Sequence, residues 1–237
     1  MAKMTPEELV EQLRGAYGAE LRNVVLYGSA AAGEHIPKRS DYNILVLVDA
    51  LPLEGLRAAA AVARAWSESG NPAPMTLTTR EWQASADIFP MEYADILERH
   101  KILYGESPFD GIRVDPHDLR LQLEHEAMGK LLKLRQGVLA SGGDNRRQLE
   151  LLAASVSTIM VIFRAVVRLQ SAVPAMDNVA LSQSVADYAG FDATPFARVV
   201  RHVRGEQTIA TNEVANVVAG YLAGMERLVE HLDRFGS

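Results

Sequence analysis

The chain of 237 residues contains no cysteine. This absence excludes a disulfide framework and any metal site built on thiolates. The chain also has no excess of basic residues, since 24 Lys and Arg are set against 30 Asp and Glu for a net charge of −6. That balance argues against a broad surface for duplex nucleic acid. The first residues contain no apolar segment like a signal peptide, so we expect a cytoplasmic protein.

A long uncharged apolar run is also missing. The most apolar segment, residues 149–169, approaches the ~20 residues that a bilayer requires, but it contains Glu150, Arg164 and Arg168. Its uncharged part, residues 151–163, is too short to span a membrane. We therefore expect a buried bundle helix and no membrane association.

The first part of the chain has the alternation of elements typical of an α/β (α+β) domain with a small mixed sheet. Thr5, Pro6 and Glu8 have the spacing of a helix N-terminus. Apolar and β-branched runs indicate four strands, at residues 21–27, 44–48, 75–79 and 102–104. Helices are predicted over residues 53–69 and, broken at Phe89 and Pro90, within residues 80–101.

The composition changes after residues 105–111, a loop rich in turn-forming residues. We place a domain boundary there, with one domain at residues 1–110 and an all-α domain at residues 111–237. The second domain is predicted to form a helical bundle with short connections. Its predicted helices cover residues 115–140, 147–170, 179–189, 195–203 and 212–235.

Two short motifs with chemical meaning lie between the first two predicted strands. Gly28 and Ser29 follow the first strand, and a turn of this kind before a helix offers N–H groups and a hydroxyl to phosphate oxygens. Asp41 and Asn43 open the second strand. Because alternate strand residues point to the same face, both side chains can bind the same metal ion.

The whole run over residues 24–49 resembles the signature of the nucleotidyltransferase (polymerase-beta-like) superfamily. Residues 89–105 are in addition similar to bacterial proteins described as nucleotidyltransferase-domain proteins. The resemblance implies Mg²⁺-dependent transfer of a nucleoside monophosphate from a triphosphate, with ATP the first choice, to a hydroxyl of a small molecule or protein. Its implied metal ligands are Asp41 and Asn43. The candidate phosphate-binding residues are Gly28, Ser29, Lys38, Arg39 and Ser40. Lys38 and Arg39 are placed just before Asp41 to neutralise phosphate charge, and the alternative is that both only solvate a loop.

The chain lacks two of the acids that are typical of that superfamily. The superfamily has a second carboxylate where this chain has Asn43, and it commonly takes a third from a later strand, whereas residues 75–79 contain none. Asn43 offers Mg²⁺ a carbonyl oxygen but no charge. Asp49 is on the same strand but roughly 26 Å from Asp41, so it cannot substitute. Replacement acids must come from the helical domain or from Glu81, Asp87, Glu92 or Asp95.

The reaction implied by the resemblance also requires a general base. Aminoglycoside nucleotidyltransferases place one on a helical element facing the nucleotide domain, and Glu124 is our candidate here, with Glu126 beside it. The alternative is a solvated helix face that pairs with Arg120 or Lys130. For Glu92 and Asp95, helix capping or ion pairing is the corresponding alternative.

Minor motifs point in other directions. Arg120 and His125 have the spacing of the ribonuclease motif of HEPN helical domains, a spacing that also arises easily by chance.

Apolar faces on the long helices suit a homodimer, and a bundle core accounts for them equally well.

Three functional hypotheses remain at this point. The first is an active nucleotidyltransferase. The second is a catalytically degenerate nucleotide-binding protein, acting as a sensor, an antitoxin-like partner or a scaffold. The third is a helical interaction protein with a vestigial front domain. An active enzyme is expected to bring three acids within metal-binding distance of Asp41, whereas a binding protein is not.

Overall fold

The computed structural model describes residues 4–31 and 41–235. The chain divides after Asp115 into two compact units. The predicted boundary at residue 110 lies in the loop just before this point.

The first unit is built on a four-stranded mixed sheet. Its strands are β1 (Leu21–Tyr27), β2 (Asn43–Val48), β3 (Met75–Thr78) and β4 (His100–Tyr104). Their order is β3-β2-β1-β4, with β1 antiparallel to both β2 and β4, and β2 parallel to β3. All four predicted strands are confirmed, and β4 begins slightly earlier than expected.

Helices cover both faces of this sheet. They are α1 (Pro6–Tyr17), α2 (Leu53–Glu68), α3 (Thr79–Ala84) and α4 (Pro90–Glu98). On one face α1 and α2 pack with Val24 and Val46 around the buried Trp66. On the other, Leu45 packs with Trp82 of α3 and with Tyr93 and Ile96 of α4. Because β2 is covered on both sides, its residues read as a continuous apolar run.

The second unit is all-α. Its helices are α5 (Pro116–Ser141), α6 (Asn145–Leu169), α7 (Asn178–Ala189), α8 (Thr194–Arg204) and α9 (Val214–Arg234). Asp144 and Asp177 cap the N-termini of α6 and α7 through their carboxylates. The core contains the fully buried Phe163, Phe196 and Tyr221. All five predicted helices are present.

Helix α6 contains the long apolar segment of the sequence. By length and composition alone it is able to cross a membrane, but 56% of its most apolar window is buried inside the protein. Such burial is the pattern of the core helix of a bundle, as the sequence predicted.

Gly105 offers a test of how β4 is held against β1. Its φ is +85°, and a Cβ there would collide with the backbone carbonyl of Arg22. We expect Gly105→Ala to lower the free energy of unfolding by about 3 kcal/mol or more, because left-handed strain and a backbone clash add together. Urea denaturation measures this change.

Gly111→Ala is the matched control. Its φ is +79°, but a Cβ there would meet nothing within 4 Å. This variant should lose only the left-handed strain, about 1–2 kcal/mol. Equal losses in the two variants would contradict the packing described for Gly105.

Candidate functional site

The predicted phosphate turn lies at the C-terminal end of β1. Gly28 begins a single tight helical turn over Gly28–Ala30, and its φ of +77° favours glycine. Its backbone N–H donates to the carbonyl oxygen of Arg99 at 3.0 Å. The amide of Gly28 is therefore occupied within the fold. The cause is β4, whose pairing with β1 continues through Tyr27 and His100 to this bond.

Two polar side chains flank the Gly28 turn. A Cβ built on Gly28 would lie 3.4 Å from Nδ2 of Asn43 and 3.7 Å from Oδ2 of Asp95. Asn43 arrives there because it pairs with Tyr27 in the β1–β2 register. Asp95 arrives from α4. The side-chain amide of Asn43 and the carboxylate of Asp95 thus lie in van der Waals range of the position that a side chain at residue 28 would take.

Asp95 is oriented by Arg99, one helical turn further on. Its Oδ1 accepts from Nη2 of Arg99 at 3.1 Å, with the two side chains 21% and 9% exposed. This is the ion pair that the sequence offered as the alternative to a functional role for Asp95. The second oxygen, Oδ2, is the one near Gly28.

The pKa of the Tyr27 hydroxyl is affected by the charges around this turn. Burial raises the pKa of its hydroxyl to about 12, and the negative charges of Glu92 and Asp95 add to the rise. Two carboxylates of α4, Glu92 and Asp95, therefore act on the end of β1. Sequence spacing had grouped Glu92 with Asp95 but gave no sign that they meet Tyr27.

Asp41 lies just before β2 and is exposed. The next residue, Tyr42, is held by two contacts. Its backbone amide donates to Oδ1 of Asn71 at 3.1 Å, and its ring centroid lies 6.1 Å from that of Trp66. The start of β2 is therefore fixed, while the Asp41 carboxylate faces solvent. The other predicted phosphate ligands, Lys38, Arg39 and Ser40, lie outside the described residues, and Ser29 is described in its backbone alone.

Two other acids, Glu81 and Asp49, are engaged in other contacts. Glu81 closes a capping box at the start of α3, where it accepts from the amide of Thr78 at 2.7 Å. Asp49 pairs with Arg22, which holds the pKa of its carboxyl below the usual value. Within residues 4–31 and 41–235, no group of three His, Asp or Glu side chains is arranged to hold a metal ion. The three-acid arrangement expected of an active enzyme is therefore not formed by this part of the chain.

Glu124 lies on α5 in the helical unit. Its Oε2 accepts from Nη1 of Arg120 at 2.9 Å, which is the pairing considered as its structural alternative. Arg120 also donates to the carbonyl oxygen of Leu232 at 3.4 Å. Arg120 is thus engaged within the bundle, which leaves the HEPN-like spacing with His125 without structural support.

Glu124 borders a groove between α5 and α9. The groove has a volume of about 680 Å³. Apolar side chains form much of its lining, including Leu121, Met128 and Leu132, and Glu230 and Asp233 add acidic groups from α9. A carboxylate beside an apolar groove is chemically suited to accept a proton from a bound hydroxyl.

Comparison with known proteins identifies the fold. No protein-family model and no curated protein sequence matches this chain. Among solved structures, the spectinomycin adenyltransferase AAD(9) of Enterococcus faecialis, determined with ATP and spectinomycin, matches at a TM-score of 0.60 and 12% identity over 97% of this chain and 100% of its own. A toxin–antitoxin structure with AMP-PNP matches at a TM-score of 0.31 and 19% identity, over 44% of this chain and 76% of its own.

The chain accordingly has a nucleotidyltransferase fold. An α/β domain with a small mixed sheet followed by helices, as predicted from the resemblance of residues 24–49 and from the change of composition after residues 105–111, is confirmed. At 12% identity the likeness concerns the fold, and the site must be argued from the residues of this chain.

The raised pKa of Tyr27 predicts a pH dependence of stability. The folded protein holds the Tyr27 proton more tightly than the unfolded chain, whose pKa is near 10, so raising the pH from 10 towards 12 favours unfolding. In Tyr27→Phe this contribution disappears, and the free energy of unfolding should fall less steeply over about pH 10 to 11.5. Urea denaturation at each pH measures the slope.

Tyr188→Phe removes an exposed tyrosine as the control. It should leave the slope of the wild type unchanged. If the slope in Tyr27→Phe equals that of the wild type, the hydroxyl of Tyr27 is not held in the environment described.

Proposed function

We propose that this protein is a Mg²⁺-dependent nucleotidyltransferase that moves a nucleoside monophosphate, AMP by first choice, to a hydroxyl of a small molecule or protein. The observation that carries the proposal is the β1–β2 register, which sets Asn43 beside the Gly28 turn in a nucleotidyltransferase fold. The structural neighbour that was determined with ATP and spectinomycin supports a triphosphate donor and a small-molecule acceptor.

The residues around the turn fit a hard divalent cation. Asp41 and Asn43, which lie at the start of β2, would supply carboxylate and amide oxygens of the kind that Mg²⁺ prefers. Asp41 and Asn43 are the proposed ligands. When bound, the ion would neutralise charge on the phosphates. Ser29, Lys38, Arg39 and Ser40 are assigned to the phosphate oxygens.

In the proposed reaction the acceptor hydroxyl attacks the α-phosphorus of the triphosphate. A new P–O bond forms, the bond to the β-phosphate oxygen breaks, and pyrophosphate leaves. The acceptor proton passes to a base, for which we propose Glu124 of the helical unit. Arg120 orients this carboxylate through their 2.9 Å hydrogen bond.

A second candidate function is nucleotide binding without turnover, as in a sensor, an antitoxin-like partner or a scaffold. It is favoured by the absence, among the described residues, of three acids grouped for a metal. Both candidates require nucleotide binding, and they differ in pyrophosphate release.

Calorimetric titration with the four nucleoside triphosphates, with and without Mg²⁺, tests the site common to both candidates. We expect Mg²⁺-dependent binding by the wild type and a loss of affinity of about tenfold or more in Asp41→Ala, because a charged oxygen ligand is removed. Asp110→Ala, in the loop before the helical unit, is the matched control. Absence of binding at millimolar triphosphate would eliminate both candidates.

Glu124→Gln tests the proposed base once an acceptor is found that releases pyrophosphate. We expect kcat to fall by about 10²-fold or more, with triphosphate affinity unchanged, because a base acts only in the chemical step. Glu126→Gln, two residues along α5, is the control and should keep the wild-type kcat. Equal rates in the two variants would assign Glu124 to the ion pair with Arg120 alone.

A further inference from the structure

We infer that the exposed face of α5 is a homodimer interface, on which α5 of a second copy of this chain packs in the antiparallel direction. The inference concerns the helical unit alone and does not depend on the proposed nucleotide site. Apolar faces on the long helices suited either a bundle core or a homodimer, and on α5 the structure shows apolar residues on two faces.

One face of α5 is buried in the helical bundle, and the opposite face is exposed and also apolar. The buried face contains Leu119, Leu123, Ala127, Leu131 and Leu134. On the exposed face, the side chains of Leu121, Met128, Leu132 and Leu139 are 47%, 41%, 48% and 81% exposed. A helix needs one apolar face for the core of its own unit. That core does not account for the second apolar face.

The spacing along the exposed face is that of a coiled-coil seam. Positions 121, 125, 128, 132, 135 and 139 follow one another in steps of 4, 3, 4, 3 and 4 residues. The residues at these positions, which we call the α5 stripe, are Leu121, His125, Met128, Leu132, Arg135 and Leu139. Two helices pack along such a stripe because each side chain inserts between four residues of the facing helix.

The α5 stripe is complementary to itself when the second helix runs in the opposite direction. With a two-fold axis level with residue 130, Leu121 of one copy faces Leu139 of the second copy, and Met128 faces Leu132. The two polar members of the stripe then face each other. Each apolar residue of the stripe therefore meets an apolar residue, as an interface between two identical surfaces requires.

The distribution of charge favours this direction over a parallel one. The first half of α5, residues 116–129, contains three acids and one arginine, whereas the second half, residues 130–141, contains three basic residues and no acid. Antiparallel pairing places the acidic half of each helix along the basic half of the other. Parallel pairing would place like charge beside like charge, which opposes association.

Gly129 lies next to the two-fold axis, in the middle of α5. A glycine within a helix is destabilising relative to alanine. Among the described residues nothing requires it, because a Cβ at Gly129 would meet nothing within 4 Å. Gly137 on the same helix differs, since a Cβ there would lie 2.6 Å from the side chain of Leu151. The close approach of a second helix accounts for Gly129.

The first test is the molecular mass of the full chain, measured by sedimentation equilibrium. The wild type should be a dimer at micromolar concentration, with twice the chain mass of 25.9 kDa. Leu132→Lys should raise the dissociation constant by about 100-fold or more, because each dimer would bury two unpaired ammonium groups. Since Leu132 is exposed in the single chain, this variant should keep its fold, which circular dichroism checks.

Val161→Lys is the matched control. Val161 is 45% exposed on α6, so the same change is made on a helix surface outside the α5 stripe. This variant should dimerise as the wild type does. A wild type that is monomeric at submillimolar concentration would overturn the inference. Equal dissociation constants for Leu132→Lys and Val161→Lys would overturn it as well.

Disulfide cross-linking tests the direction of pairing, and the chain has no cysteine of its own to interfere. The variants Leu121→Cys and Leu139→Cys should cross-link to each other when they are mixed, because the two positions are level across an antiparallel seam. Neither should cross-link alone, since 18 residues at ~1.5 Å each separate the two positions by about 27 Å along the helix. Cross-links within each variant and none in the mixture would show parallel pairing and overturn the inference.

Discussion

The hydrogen bond from the amide of Gly28 to the carbonyl of Arg99 is the contact on which the front unit of this protein depends. It ends the β1–β4 ladder and joins three elements at one place: the end of β1, the start of β4 and the last turn of α4. Because β1 also pairs with β2, the same place lies beside Asn43. The end of the β1–β4 ladder therefore determines which side chains lie beside the Gly28 turn.

This arrangement changes the role of the glycine. The backbone amides of a Gly-Ser turn can face a phosphate. Here the amide of Gly28 instead forms a hydrogen bond within the fold. Gly28 has a left-handed backbone, and the side chains of Asn43 and Asp95 lie within 4 Å of the position that its Cβ would take. Burial and the charges of Glu92 and Asp95 raise the pKa of Tyr27, at the end of β1, to about 12.

The helical unit contributes a different kind of surface. Its groove between α5 and α9 joins an apolar lining to the carboxylates of Glu124, Glu230 and Asp233. These carboxylates give the groove negative charge beside its apolar lining.

The sequence alone predicted the strands and the helices, which follow from periodicity and capping residues. Its resemblance over residues 24–49 implied the nucleotidyltransferase fold and the missing acids at position 43 and on β3. It offered Asp95 as one of several replacement acids and favoured none of them. Tertiary structure decided that Glu81 caps a helix, that Asp49 pairs with Arg22, and that Asp95 reaches Gly28. The reason is physical: the turn and α4 are far apart in the chain, and only the antiparallel pairing of β1 with β4 brings them together.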